Sequence, residues 1–504
     1  MPQWSLGFNS PHIFAMSCGQ TEAYGSGGSC VRGELVKSLA CLFIRSPVRD
    51  WAWLFLAINL LFTFYSGANP AARWTMMVAM AEDHSLRIDK YYFHTCDWSR
   101  TPDGHYYSNK APGPSLIGYP LFWLLDRSDT SEIPTRALRD NIRTAVRENN
   151  LHTLAVFTQV IPFTLVTLLL IRELQKLGAP LAGLHIAAVA LFFGNTASLF
   201  MNTYFGHSMA AMFVLFTLLS VHRRWAFRAG LFFGLAVMCD YADILLVLPL
   251  AIALAFKGLL RQRKLVAFLA GGAGPGLIFA AYHKICFGSP FTLSTKYVNP
   301  EFIDVPTNET AVWGVLRILP KTNILKKLLY SPERGIAYTQ LWVLVAIVAT
   351  LIVVGLRNSN YWERVTLRWV AMFGILSLSV MVWMNACFNG WHGGLTCGPR
   401  YLASTLPICA LLIALTYSKI PSWVRQLYVV TLIPSLLLYV LVFACKDVLA
   451  PESPLHEFYF NATFAASPGP RLFRMSLIML GMGWAAYRAY QSVSQSSLLR
   501  DGPE

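Results

Sequence analysis

Apolar residues recur along this chain in blocks of roughly 16–22, the length an α-helix needs to cross the hydrocarbon core of a bilayer. A soluble fold has no room for so much apolar surface. Of the 504 residues, 55% are hydrophobic and 13% charged, against about a quarter charged in an ordinary soluble domain. The pattern predicts an all-α, polytopic integral membrane protein with about 12 transmembrane helices, in a range of about 11–13.

The formal net charge is +15. Nucleic-acid binding would gather that charge on one soluble face. Here much of it lies in short links between apolar blocks, as positive-inside topology requires. The lipid bilayer is therefore the expected partner, and nucleic acid is not. The ten Cys are scattered without a CxxC pair, so neither a disulfide framework nor a zinc site is expected.

In chain order, residues 1–47 read as a cytoplasmic tail and Trp51–Tyr65 as the first span, entered by Arg45 and Arg49. Those arginines place the next loop, 66–150, outside. It is expected to carry two interfacial helices. Asn69–His84 has apolar residues at helical spacing, and Ser115–Leu125 is too short to span. Later spans are expected at Leu151–Ile171, Leu181–Met201, Met209–Val221, Val266–Tyr282, Ile336–Val354, Val370–Met384, Leu402–Tyr417, Tyr428–Cys445 and Leu472–Ala489. A hairpin broken into Gly230–Cys239 and Ile244–Phe256 stands among them. A module over 48–417 would thus be followed by C-terminal helices over 418–490 and a tail over 491–504.

The stretch Ile88–Pro120 gathers Asp89, His94, Asp97, Asp103, His105, Tyr107 and Lys110 in a chain otherwise poor in charge. Glycosyl transfer needs a carboxylate to take the acceptor's proton and cations to hold a departing phosphate. An acid and a Lys on one folded loop supply both parts. Solvated loop residues would look the same, but Gly104, Pro112, Gly113 and Pro114 point to a fixed loop shape. A second set joins Trp391 and His392 to Gly398-Pro399-Arg400-Tyr401, beside Arg334 in SPERG. Arginine offers a planar fork for phosphate oxygens, and Trp can stack on a sugar or an isoprenoid. Read blandly, the set is a basic interfacial anchor. Arg400 is expected to open a helix, where a cation sits poorly unless an anion joins it. Asp240, Asp243 and His207 lie in or beside apolar segments, where ionisable groups default to function. Asp240 and Asp243, three apart, are expected to share a helix face and pair with Lys or Arg. Asn308-Glu-Thr310 and Asn461-Ala-Thr463 match the N-glycosylation pattern on expected outer loops.

DGHYYSNKAPGPSLIGYP resembles the loop of bacterial membrane glycosyltransferases of the GT-C superfamily, a group that includes the protein O-mannosyltransferases and the aminoarabinose transferase of lipid A. GNTASLFMNTYFGHSMAA, RAGLFFGLAVMCDYADILL, YHKICFGSPF, LLYSPERGIAYT and WHGGLTCGPRYLASTLP follow in order, the last two resembling a family-39-like branch. The resemblance implies a polyprenyl-phosphate sugar donor, an unnamed acceptor and inverting transfer at the outer side of a bacterial inner membrane. It matches Lys110 to the family Lys that contacts donor phosphate, with Arg400 and Arg334 as further phosphate-binding candidates. His105, Tyr107, His207, Trp391 and His392 are the substrate-binding candidates. The relatives often carry an Asp-Glu pair after the first span; here that place reads Asn69-Pro-Ala71. The base is therefore sought at Asp97 first, then Asp89, then Asp103. No cofactor and no metal ligands are expected, while a divalent-metal requirement stays open. Two other classes stand beside this one: a secondary transporter using Asp240 and Asp243, and a non-catalytic lipid-binding relative lacking the acidic pair.

Overall fold

The computed structural model describes residues 43–44, 46–62, 67–125, 150–302, 316–355, 361–388, 390–394, 396–445, 455–464 and 468–498. Most of the expected tail 1–47, part of the loop 66–150, the Asn308 sequon and the end of the tail 491–504 lie outside them.

The chain opens with α1 (Arg49–Leu61) and α2 (Ala68–Glu82). A ribbon follows, β1 (Trp98–Arg100) with β2 (Tyr106–Ser108), and then α3 (Gly113–Leu125). Next come α4 (Asn150–Lys176), α5 (Leu181–Phe193), α6 (Gly206–His222), α7 (Ala226–Cys239), α8 (Val247–Phe256) and α9 (Gln262–Phe287). Further along stand α10 (Thr322–Tyr330), α11 (Leu341–Gly355), α12 (Tyr361–Cys387) and α13 (Leu406–Thr416). The chain closes with α14 (Ser422–Cys445), α15 (Leu455–Phe464) and α16 (Gly469–Leu498).

The protein is an integral membrane protein whose described residues are mostly helical. Among the described residues, four helices are long and apolar enough to cross a membrane: Asn150–Lys176, Gln262–Phe287, Thr366–Cys387 and Ser422–Cys445. Six further apolar helices have 10–17 residues, so among the described residues the expected count of about 12 full spans is not confirmed. The physical reason is that several apolar blocks are interrupted by polar residues that end one helix and begin another. Asn195 donates to the Ala190 and Leu191 carbonyls at 2.8 Å, closing α5, and accepts from Ser198 N at 3.1 Å, opening the next turn. Asp240 ends α7 and accepts from Ala242 N at 3.2 Å, starting a 3-10 turn over Tyr241–Leu246. These side chains take up the backbone groups that a helix end leaves unpaired. Two breaks also serve each other: Gln340 donates to Thr196, and Trp342 Nε1 donates to the Gly194 carbonyl at 2.7 Å.

Three expectations change. Helix α2 is not amphipathic on a surface, because Asn69 through Ala79 are all buried. The β1–β2 ribbon departs from an all-α chain. Arg400 does not open an α-helix: it starts a 3-10 turn over Arg400–Leu402, and α13 begins only at Leu406.

Helices α7 and α9 pack the most closely, and glycine permits it. A Cβ on Gly230 would stand 1.8 Å from the Phe268 carbonyl oxygen, and one on Gly271 would stand 2.0 Å from that of Phe227. Small residues at such a crossing let two backbones approach, as membrane helices require. Gly230→Ala should therefore part α7 from α9 and cost about 1–3 kcal/mol. Gly274→Ala, with nothing within 4 Å of its new methyl, should be neutral or add about 0.5–1 kcal/mol through helix propensity. Thermal unfolding of both variants in detergent micelles checks the contrast.

Candidate functional site

The Asp97–Lys110 pair owes its geometry to the ribbon. Trp98 stands opposite Ser108 in the antiparallel register, and Asn109 N donates to the Asp97 carbonyl at 3.2 Å one step beyond. Asp97 is thereby brought beside Lys110, and its Oδ1 lies 2.9 Å from Lys110 Nζ. The ribbon is itself sewn to a distant loop. Ser99 Oγ donates to the Ser294 carbonyl at 2.8 Å, and Ser294 Oγ to the Asn109 carbonyl at 2.8 Å.

Lys110 and Asn109 line a cavity of about 770 Å³. Its polar end is shared by Asn69 and Arg73 of α2, His207 of α6, Asp240 and Tyr241 at the break after α7, and Arg400 and Tyr401. The remaining wall is largely apolar, with Phe233 and Val237 of α7, Phe268, Leu269 and Phe279 of α9, and Phe291 beyond it. Arg73 donates to the Asn69 carbonyl at 3.0 Å and to its side-chain oxygen. The Arg400 guanidinium lies over the rings of Tyr401 and Phe205, at 5.0 and 5.8 Å. His207 Nδ1 is hydrogen-bonded to Asp240 Oδ2.

Three cations and one carboxylate therefore border the polar end. Gly206 opens α6 there, and a Cβ on it would lie 2.6 Å from an Arg73 guanidinium nitrogen. Arg73 thus presses against a helix N-terminus, whose partial charge is also positive. Burial raises the Asp97 carboxyl, but the Lys110 ammonium, its hydrogen bond and the Arg400 charge outweigh burial and hold it below the usual carboxylate range. Lys110 also titrates below its ordinary value. Burial lowers it, Asp97 offsets part of that, and Arg400 lowers it again.

Of the residues singled out in the sequence, Asp97, Lys110, Arg400 and His207 come together. Asp97 is paired behind Lys110 and does not itself line the cavity. Asp240 lines it beside His207, and the remaining singled-out residues stand apart from the cavity wall. Asp89 holds the ribbon, with His105 Nδ1 at 2.8 Å from its Oδ2 and Tyr106 N donating at 2.6 Å to its Oδ1. Asp103 bonds Thr101 in the ribbon's turn. Tyr107 is buried against Phe287, with ring centroids 5.5 Å apart. Arg334 is a staple rather than a free fork: it donates to Thr396 Oγ1 at 2.9 Å and to the Gly394 carbonyl at 2.8 Å. Trp391 lies under Lys327 at 5.5 Å, and His392 Nδ1 accepts from Gly394 N at 3.0 Å. Asp240 pairs with His207, not with a Lys or Arg, and it and Asp243 flank a break rather than share a helix face. Among the described residues, no group of three or more His, Cys, Asp or Glu is placed to hold a metal ion.

Arg73 escaped the sequence reading. Its signal was an arginine in an acid-free apolar stretch, four residues after Asn69, which suited an amphipathic surface helix equally well.

No family model matches the chain, and no curated protein does. Among solved structures, an Archaeoglobus fulgidus oligosaccharyltransferase, tethered to an acceptor peptide containing the NVT sequon, matches at 12% identity with a TM-score of 0.45. The match covers 84% of this chain and 59% of that one, so this chain spans less than two thirds of the neighbour's length. A likeness of that size assigns no residue and no activity.

The Asp97–Lys110 pair should be energetically coupled, because both side chains are mostly buried, at 13% and 18% exposure. A double-mutant cycle on Asp97→Asn and Lys110→Met is expected to give a coupling of about 0.5–3 kcal/mol in chemical unfolding. The more exposed Asp89–His105 pair should give less than about 1 kcal/mol by the same measurement.

Proposed function

We propose that this protein is a membrane glycosyltransferase of GT-C type, moving a sugar from a polyprenyl-phosphate donor to an acceptor on the outer face of the membrane. One observation carries the reading: a cavity with a cluster of cations at one end and an apolar wall of α7 and α9 along the rest. A lipid phosphate has the matching halves. Its anionic head would take charge-assisted hydrogen bonds from Lys110, Arg400 and Arg73, and its isoprenoid would lie against Phe233, Phe268 and Phe279. The apolar window of α9 is largely exposed, which suits lateral entry from the bilayer.

The cationic excess also fits the chemistry of the step. As the glycosidic bond to phosphate breaks, negative charge collects on the leaving oxygen, and fixed cations there lower the barrier. Asp97 then serves as the partner that holds Lys110 in place. The chemistry of the cavity supports an anionic lipid donor, and the motifs that resemble GT-C transferases support the direction of transfer and the outer-face location.

The test is direct binding and turnover of the full chain in lipid nanodiscs. Polyprenyl phosphate should bind, and Lys110→Ala or Arg400→Ala should weaken binding roughly 10- to 100-fold, the loss of one charge-assisted contact of about 1.5–3 kcal/mol. A panel of polyprenyl-phosphate monosaccharides presented with acceptor membranes should yield free polyprenyl phosphate. Binding without turnover across the panel would instead favour a non-catalytic lipid binder. Failure of polyprenyl phosphate to bind at all would sink the proposal.

A further inference from the structure

We infer that His207, oriented by Asp240, takes the proton from the acceptor hydroxyl during transfer, an assignment that rests on the glycosyl-transfer reading above. Among the described residues lining the cavity, Asp240 is the one carboxylate and His207 the one imidazole. The carboxylates expected from the sequence are otherwise engaged: Asp97 with Lys110 behind the cavity wall, Asp89 with His105, and Asp103 in the ribbon turn. A general base must reach the proton it removes. The His207–Asp240 pair borders the space where a substrate would lie.

The two residues divide the work. Asp240 is fixed twice, by Ala242 N at 3.2 Å on Oδ1 and by His207 Nδ1 on Oδ2. A carboxylate on Nδ1 places the ring proton there and leaves the Nε2 lone pair free to accept. Among the described residues, Nε2 has no hydrogen-bond partner. The Tyr401 ring meets the imidazole edge-on at 5.2 Å and limits its rotation. In the step itself, the acceptor O–H bond breaks and its proton passes to His207 Nε2. The acceptor oxygen bonds to the anomeric carbon, the bond from that carbon to the phosphate oxygen breaks, and its electron pair leaves with the phosphate. Lys110, Arg400 and Arg73 receive the phosphate, and Asp240 balances the imidazolium until the proton is lost to water. His207 is thus the catalytic residue and Asp240 a positioning residue.

The test uses the full chain in nanodiscs, with release of polyprenyl phosphate from the same monosaccharide panel as the turnover readout. His207→Gln should lower kcat by at least about 100-fold, within the range of a lost general base, while polyprenyl phosphate binding stays within about threefold. Asp240→Asn should lower kcat at least about tenfold with little change in KM for the donor, and Asp240→Glu should recover part of that loss. Turnover by His207→Gln within about threefold of the unaltered protein overturns the assignment and leaves the glycosyl-transfer reading intact. Donor bound but never consumed by the unaltered protein overturns both. Should His207→Gln lose binding as well, carbethoxylation of the unaltered protein with diethyl pyrocarbonate decides. Modification of His207 that is blocked by polyprenyl phosphate and abolishes turnover supports the assignment, and turnover that survives complete modification of His207 overturns it.

Discussion

Three cations held at one end of an apolar cavity set the terms for the structure around them. Lys110, Arg73 and Arg400 come from three distant parts of the chain, and each would be costly to hold away from water without compensation. Each is compensated differently. Lys110 has Asp97 at 2.9 Å, Arg73 has the carbonyl and side-chain oxygens of Asn69, and Arg400 lies between the faces of Tyr401 and Phe205. Only one of the three is matched by a full opposite charge. The polar end is therefore electropositive by construction: burial, and after it the Arg400 charge, holds Lys110 below its ordinary value.

Those groups are brought together at helix ends and at the breaks between helices. An uninterrupted span offers a side chain but no free backbone, whereas a break supplies both. Asp240 sits where α7 gives way to a 3-10 turn, His207 in the first turn of α6, and Arg400 in a turn ahead of α13. Other breaks are satisfied by neighbouring elements: Trp342 Nε1 reaches the Gly194 carbonyl, and Ser435 Oγ donates to the Thr339 carbonyl at 2.7 Å. The short helices that depart from a simple count of spans are thus the price of the site.

Much of the fold is legible in the sequence, since nearly every apolar block predicted as a span corresponds to a helix. What apolar length does not reveal is where a polar residue such as Asn195 or Gln340 cuts a block. It also says little about burial, so α2 read as a surface helix although its first turns are enclosed. In the site, Lys110, Asp97, Arg400 and His207 were visible as ionisable groups in a chain poor in charge. Asp89, Asp103 and His105 shared that signal but not the location. The register that sets Arg100 against Tyr106 leaves 101–105 at the ribbon's turn, away from the cavity that Lys110 lines. Neighbours in sequence were parted by a hairpin. Arg334 differs for another reason: a buried guanidinium suits a phosphate and a set of backbone carbonyls equally well, and in this structure it donates to the carbonyls.

Asn69 shows how one residue type fixes the charge of the whole end. It lies four residues before Arg73 on the same helix and already accepts from it. An aspartate there would close a full ion pair with Arg73 and subtract one from the cationic excess facing the cavity. With a neutral amide, Arg73 keeps its orientation but not a counter-charge, so an incoming anion competes with a dipole rather than with a carboxylate. With an amide rather than an acid at that position, Asp240 is the one carboxylate among the described residues that border the cavity. On the reading proposed above, anion binding and proton removal then fall to different elements. The cations of α2, the ribbon loop and the Arg400 turn hold the phosphate, and the break between α7 and α8 supplies the base through His207. On that reading the two carboxylates nearest the phosphate are each taken up by a partner, Asp97 by Lys110 and Asp240 by His207, and an uncharged imidazole nitrogen is left beside the reacting hydroxyl.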